Sequence, residues 1–297
     1  MDIQKFLNSL LASQDLLIEQ ENSLQTHKKE VTDFLVAEFG NKPKIKYAGS
    51  REKGTMIRDS YDLDIVCYFP STDTRSLKEI RQEVSDHLSQ RYVMQDKASA
   101  ERITNLKGAK TPESYHIDVV PGRFIEGSND VFIHVAYGDK ERMQTNLKTH
   151  IDHIAKSGCV PVIRLVKLWS VRNNVSIKTF ILELFVVEVL KGSQNKGDLR
   201  SGFIKVMEAL RDNFGSMQLV DPANSNNVVS RTIDSSQRVM VSHVADETLS
   251  KIEDSTNLSD WRAVFHEEND RGTTASRSYT PDAGPTIINN PSKPWAW

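Results

Sequence analysis

Apolar residues recur at mostly helical spacings through residues 2–39, where Phe6, Leu7, Leu10, Leu11, Leu17, Leu24, Val31, Phe34 and Leu35 stand on a background of Gln, Glu and Lys. The pattern predicts one long helix or two consecutive ones, ended by Gly40-Asn41-Lys42-Pro43. A short strand over 45–47 then leads into Gly49-Ser50, with a helical turn or two over 51–57, an apolar strand over 63–69 and a loop over 70–73. Leu77, Ile80, Val84 and Leu88 mark an amphipathic helix. Strands follow over 98–104 and 115–120, separated by a turn at Gly108 and Pro112, and Pro121-Gly122 reads as the stop of the second. A further strand is predicted over 131–135. From Gln144 the periodicity turns almost wholly helical, with segments 144–155, 161–172, 179–191, 199–213, 235–253 and 257–267. This shift predicts an α+β protein in two lobes: an α/β lobe over 1–143 that includes the long N-terminal helix, and a helical lobe over 144–268. Residues 269–297 form a polar, turn-rich tail, either docked through Trp295 and Trp297 or disordered. No internal repeat is visible.

Composition narrows this picture in three ways. A chain of 297 residues buries a substantial core without disulfides, and its two cysteines, Cys67 and Cys159, lie far apart in apolar settings. That points to a reducing cytoplasm. With 38 Lys and Arg against 40 Asp and Glu the net charge is −2, so a long nucleic acid is not an expected partner. The most apolar segment, 180–190, is interrupted by Glu183 and Glu188, and the N-terminus has no cleavage signature, so neither export nor a membrane span is expected.

The candidate chemistry sits in residues 48–69. Side chains two apart on a strand share a face, so Asp62 and Asp64 project together while Leu63, Ile65 and Cys67 face the other way. Asp118 lies opposite Ile117 and Val119 in its own strand and meets that pair if the strands are neighbours. Three carboxylates on one face suit hard divalent cations. A lone Asp-x-Asp is more often a solvated strand edge, and it is the third acid among apolar strand residues that strengthens the reading. Gly49 permits close backbone approach and Ser50 offers a hydroxyl at the start of a helix, which suits phosphate oxygens; taken by itself, Ser50 reads as a simple N-cap, the commoner role for Ser at such a position. Arg51, Lys53 and Arg58 suit either a second nucleotide or plain charge balance, and are assigned to neither. Of the eight histidines, His150 and His153 fall three apart on a predicted helix and read as a solvated face. Neither a P-loop nor a dinucleotide fingerprint is present.

Gly49-Ser50, Asp62-Leu63-Asp64-Ile65 and the distal Asp118 together resemble the signature of the DNA polymerase β-like nucleotidyltransferase superfamily. Gly54-Thr55, Asp118-Val119-Val120-Pro121, Arg164-Leu165-Val166-Lys167-Leu168-Trp169, the segment 179–184 and Asp221-Pro222-Ala223-Asn224 are similar, within it, to oligoadenylate synthetase and the bacterial cyclic-oligonucleotide synthases related to cyclic GMP-AMP synthase. The resemblance runs from about residue 45 to about residue 230. It implies a two-lobe fold with a mixed-sheet catalytic lobe, and condensation of nucleoside triphosphates, ATP among them, into a short cyclic oligonucleotide for antiphage signalling. It also implies two Mg²⁺ ions, replaceable by Mn²⁺, held by Asp62, Asp64 and Asp118, with Asp118 helping the acceptor hydroxyl lose its proton. Gly49 and Ser50 would hold the terminal phosphates. Lys167 matches a basic residue that reaches the triphosphate from the helical lobe, although a snorkelling surface Lys has the same sequence context. Thr179 matches a phosphate-touching Ser or Thr, or else caps its helix with Glu183 in the first turn. The same resemblance suggests a regulatory protein partner and a monomer or weak oligomer.

Three rivals share parts of this signature. A template-independent enzyme acting on RNA ends, as CCA-adding enzymes do, is disfavoured by the near-neutral charge. An enzyme that nucleotidylates a protein or small molecule would differ only in its acceptor pocket. A catalytically silent binding protein is disfavoured by the presence of all three aspartates and Ser50.

Overall fold

The computed structural model describes residues 2–107, 116–137, 141–193 and 198–267. The N-terminal helical pattern resolves into α1 (Ile3–Ala12) and α2 (Ile18–Phe39), which part company. Ile3, Phe6, Leu7, Leu10 and Leu11 of α1 are buried in the same core as the C-terminal helices, whereas Leu24, Val31 and Leu35 of α2 pack on the sheet. Assigning the whole N-terminal helix to the sheet lobe therefore needs correction. The break falls at residues 13–17, where the polar Ser13-Gln14-Asp15 interrupts the apolar stripe.

The sheet lobe continues with β1 (Lys44–Tyr47), the short α3 (Gly49–Lys53), β2 (Leu63–Phe69), α4 (Leu77–Arg91), β3 (Tyr92–Asp96), β4 (Glu101–Leu106), β5 (Ile117–Phe124), β6 (Val131–His134) and β7 (Arg142–Thr145). The strands form one mixed sheet in the order β1-β2-β5-β4-β3, with β6 added to the far end of β5 and β7 to β6. Among the described residues only β2 and β5 run parallel, and every other pairing of the sheet is antiparallel. All seven residues of β2 are buried, as expected for a central strand covered on both faces. One face, carrying Leu63, Ile65, Cys67 and Phe69, packs against Leu24, Val31 and Leu35 of α2 and Ile80, Val84 and Leu88 of α4. Helix α4 begins at a capping box in which Ser76 and Glu79 satisfy each other's backbone N–H.

Pro121-Gly122 does not stop its strand. β5 runs through both residues to Phe124, in register with Cys67, Tyr68 and Phe69 of β2. Pro121 lies where the β4 ladder has ended at Val119 and the β6 ladder has yet to begin at Arg123, so the missing N–H falls where neighbouring strands change over. Gly122 lets β6 approach closely, since a Cβ there would come within 2.7 Å of Val131 Cγ1. Two further strands escape the pattern. β3 follows α4 without a break, and polar β7 (Arg-Met-Gln-Thr) occupies residues 142–145, so the helix expected from 144 starts later. The predicted turn at Gly108 and Pro112 and the tail over 269–297 lie outside the described residues.

The helical lobe contains α5 (Leu147–Ala155), α6 (Val160–Arg172), α7 (Thr179–Val189) and α8 (Leu199–Asp212), then a hairpin of β8 (Val220–Asp221) and β9 (Asn224–Val228), and finally α9 (Ser235–Ile252) and α10 (Leu258–Val264). Its core is built from the inner faces of α6 to α10 and closed by α1. Trp169 is fully buried and donates its indole N–H to Thr248 Oγ1 at 2.9 Å, which ties α6 to α9. The hairpin is docked through Asp221, which lies 2.6 Å from His150 Nε2 and accepts from Ala223 N at 2.8 Å. His150 is thus buried and paired rather than solvated, because α5 turns that face toward the hairpin.

Candidate active site

Parallel pairing of β2 with β5 puts Asp64 directly opposite Asp118, on adjacent strands and the same face. Asp62 immediately precedes β2, and the residues are 8%, 5% and 2% exposed for Asp62, Asp64 and Asp118 respectively. A solvated strand edge does not bury its acids in this way. Burial first, and then the neighbouring charge of Asp118, push the Asp64 carboxyl up to about 7, against the pull of Lys53, Arg102 and Lys167.

Gly49 is built against this pair. Its φ is +64°, and a Cβ there would lie 1.6 Å from Asp64 Oδ2, so only glycine fits between α3 and the acid. The Ala48 N–H also donates to the Asp64 carbonyl at 2.9 Å, which fixes the start of α3 to β2. Ser50 is the second residue of α3 and half-buried, but Ala48 occupies the N-cap position, so Ser50 is not the cap. Gly49→Ala is expected to displace the Asp64 carboxylate and lower turnover by roughly 10²-fold, the cost of misplacing a reacting group by about 1 Å. Steady-state product formation, with circular dichroism to confirm folding, measures this.

Arg102 is a site residue that sequence reading missed. On β4 it stands opposite Asp118, and its Nε and Nη2 donate to Asp118 Oδ1 and Oδ2, both at 2.7 Å. Among the described residues no three His, Cys, Asp or Glu side chains are arranged to hold a metal ion. Both Asp118 oxygens are engaged by Arg102. The donor set nonetheless fits a divalent cation: two carboxylates face each other, and Asp64 Oδ1 is buried without a hydrogen-bond partner among the described residues. An opposite charge beside Asp64 would satisfy that oxygen and reverse the upward push on its pKa. In sequence, a charged pair (Glu101-Arg102) opening a strand between Ala100 and Ile103 was the available signal.

Behind α3 a second set of charges joins the lobes. Glu183 of α7 is fully buried; Lys53 Nζ donates to its Oε2 and Thr55 Oγ1 to its Oε1, both at 2.5 Å. Lys53 Nζ also sits 5.3 Å from the centre of the Phe180 ring. Burial alone would raise the Glu183 pKa, but Lys53 and Lys167 outweigh it and hold the carboxylate below its usual range. Lys53 is therefore a buried ion-pair partner, not loose charge balance, and Glu183 is no capping residue. Thr179 is the first residue of α7, and Lys178 takes the N-cap position.

Lys167 of α6 is buried, not snorkelling, and donates to the Thr55 carbonyl at 2.7 Å. Burial brings its pKa down to about 8 from 10.5, though Glu183 and Asp64 resist. Its folded-state pKa lies below its unfolded value, so the unfolded chain binds the extra proton between about pH 8 and 10.5. The cost of burying its charge is fully present below pH 8 and is relieved as pH rises through that window. Urea midpoints should rise between pH 8 and 10 more steeply in the wild type than in Lys167→Met.

No known family model matches the chain. Its sequence is 24% identical over 249 residues to the cyclic AMP-AMP-AMP synthase of Escherichia coli (strain MS 115-1), covering 71% of this chain and 74% of that protein. The fold matches E. coli MS115-1 CdnC with ATP at a TM-score of 0.70 and 18% identity, covering 92% of this chain and 99% of that one. CdnC in complex with HORMA-deltaN matches at 0.66 and 18% identity, covering 89% and 97%. The Bradyrhizobium diazoefficiens CD-NTase CdnG with GTP matches at 0.68 and 11% identity, covering 88% and 94%. The paired acids on β2 and β5 and the glycine wedged against Asp64 therefore stand in a fold shared with CdnC and with the CD-NTase CdnG.

Proposed function

We propose that this protein condenses nucleoside triphosphates, ATP among them, into a short cyclic oligonucleotide with release of pyrophosphate, as a signal in antiphage defence. The observation that carries the reading is the register pair Asp64–Asp118, buried and abutted by Gly49. The likeness to an ATP-bound CdnC and to a cyclic AMP-AMP-AMP synthase supports ATP as a substrate.

Asp62, Asp64 and Asp118 would hold two Mg²⁺ ions, or Mn²⁺ in their place. When bound, these ions supply charge neutralisation at the attacking and leaving oxygens of an in-line displacement at the α-phosphate. Asp118 accepts the proton of the acceptor ribose hydroxyl, which its position beside Asp64 allows. Gly49 and Ser50 hold the terminal phosphates at the start of α3. Lys167 offers a cation from the helical lobe, and Thr179 a hydroxyl at the beginning of α7. The sheet lobe supplies the acids, and the helical lobe, 144–268, closes the cleft over the nucleotide. The HORMA-deltaN complex of CdnC supports a regulatory protein partner here as well.

The test is incubation of the purified protein with labelled ATP, GTP, CTP and UTP, singly and mixed, with Mg²⁺ or Mn²⁺, followed by phosphatase and mass analysis. Phosphatase-resistant small products are expected. Labelled RNA ends, or labelled protein without small products, would replace the reading by one of its rivals.

A further inference from the structure

The Arg102–Asp118 pair has a consequence for how the acidic site is loaded. A guanidinium fork on a carboxylate uses both oxygens in two parallel, charge-assisted hydrogen bonds, and here both lengths are 2.7 Å. Both partners are buried, Arg102 at 5% and Asp118 at 2% exposure, so water competes little for either. The backbone enforces the contact as well, because Arg102 and Asp118 are direct partners across the β4–β5 ladder. Arg102 is held from below by its neighbour in sequence. Glu101 is clamped by Arg81 Nε at 2.5 Å and Ser85 Oγ at 2.9 Å, which anchors the start of β4 to α4. Asp64, across the other ladder, keeps one buried oxygen without a hydrogen bond among the described residues. Of the facing pair, Asp118 is thus already neutralised by Arg102, while Asp64 keeps an oxygen open to a cation.

We propose that Arg102 is an internal counter-ion that holds Asp118 away from metal in the nucleotide-free protein, so that the acidic site takes its full complement of cations only when Asp118 is released. The proposal rests on the metal-binding role given above to the three aspartates. Asp118 becomes a metal ligand by giving up at least one of its two bonds to Arg102. A carboxylate shared between a guanidinium and a metal ion is worth less to each, so nucleotide-free metal affinity is kept low. Binding of a nucleotide with its own cation shifts the exchange in favour of release, and the freed guanidinium then faces the same cleft as the polyphosphate. Arg102 is in this sense a positioning residue, acting through Asp118.

The experiment is Mn²⁺ titration of the nucleotide-free protein, read by electron paramagnetic resonance of the free ion, for wild type, Arg102→Met, Arg102→Lys and Asp64→Asn. Arg102→Met should tighten Mn²⁺ binding by at least about tenfold, because a buried carboxylate stripped of its partner gains strongly from a new cation. It should also lower the melting temperature without metal and raise the Mn²⁺-induced increase. Arg102→Lys, which keeps the charge and loses the fork, should fall between the two. Unchanged or weaker Mn²⁺ binding in Arg102→Met, with Asp64→Asn weakened, would overturn the counter-ion role alone. Unchanged binding in Asp64→Asn would overturn the metal site on which it rests. If Arg102→Met is unfolded at the assay temperature, the same titration of Arg102→Gln, which retains a neutral donor to Asp118, decides by the same criterion.

Discussion

Asp64→Asn is expected to abolish product formation, with a loss of at least 10²–10³-fold, on the order of the cost of removing one preorganised electrostatic group. The substitution keeps the shape of the side chain and removes one of the two facing charges on β2 and β5. It also removes the like-charge repulsion and the desolvation that push this carboxyl up to about 7, so the metal-free fold should be at least as stable as wild type. An inactive protein with an unchanged or raised melting temperature is the diagnostic pair. Retained activity would sink the assignment of this face as the reaction centre, and a loss of activity accompanied by unfolding would reduce Asp64 to a structural acid.

Glu183→Gln is expected to destabilise the fold by about 3–5 kcal/mol, the usual cost of stripping one partner from a buried ion pair. Lys53 would keep its buried ammonium with only a neutral oxygen in reach, and the charge of Lys167 would lose its main opposing neighbour. The Thr55 hydroxyl would also lose a charged acceptor. Because Lys53 belongs to α3 and Glu183 to α7, the same change loosens the sheet lobe from the helical lobe. Replacing the pair together, Lys53→Met with Glu183→Leu, should recover most of the loss, since buried pairs often exchange for apolar groups at little net cost. Equilibrium urea unfolding of Lys53→Met, Glu183→Leu and the double variant completes a cycle whose coupling energy measures the pair. Additive effects would show that Lys53 and Glu183 are independent.

Strand periodicity made the acids legible. A period of two was enough to put Asp118 on the face opposite Ile117 and Val119, and the apolar run over 63–69 identified β2 as a strand. Gly49 was legible as a close approach, although the neighbour that requires it, Asp64, is visible only in three dimensions. Arg102 and the Lys53–Glu183 pair were not legible, because their partners lie 16 and 130 residues away in sequence and nothing local encodes a long-range fork or ion pair. Pro121-Gly122 misled for a related reason: local turn chemistry was overridden by neighbouring strands that accommodate both residues. Two consecutive N-terminal helices were among the readings, but their assignment to different cores was concealed, because α1 and α2 share a helical period and differ only in which core receives them.

That division bears on how the chain is made. Helix α1 ends at Ala12 and packs on α6, α8 and α10, the first of which begins at Val160. During synthesis its apolar face therefore waits for roughly 150 residues, or about 7–30 s at ribosomal rates of 5–20 residues per second, before a partner emerges. The sheet of the first lobe can close within that interval, while the helical lobe is held open until α10, the last helix among the described residues, has left the ribosome. Production of this protein is thus exposed to misassembly at its N-terminus, where a solubilising tag or a chaperone would shield Phe6, Leu7, Leu10 and Leu11 until the other end of the chain arrives.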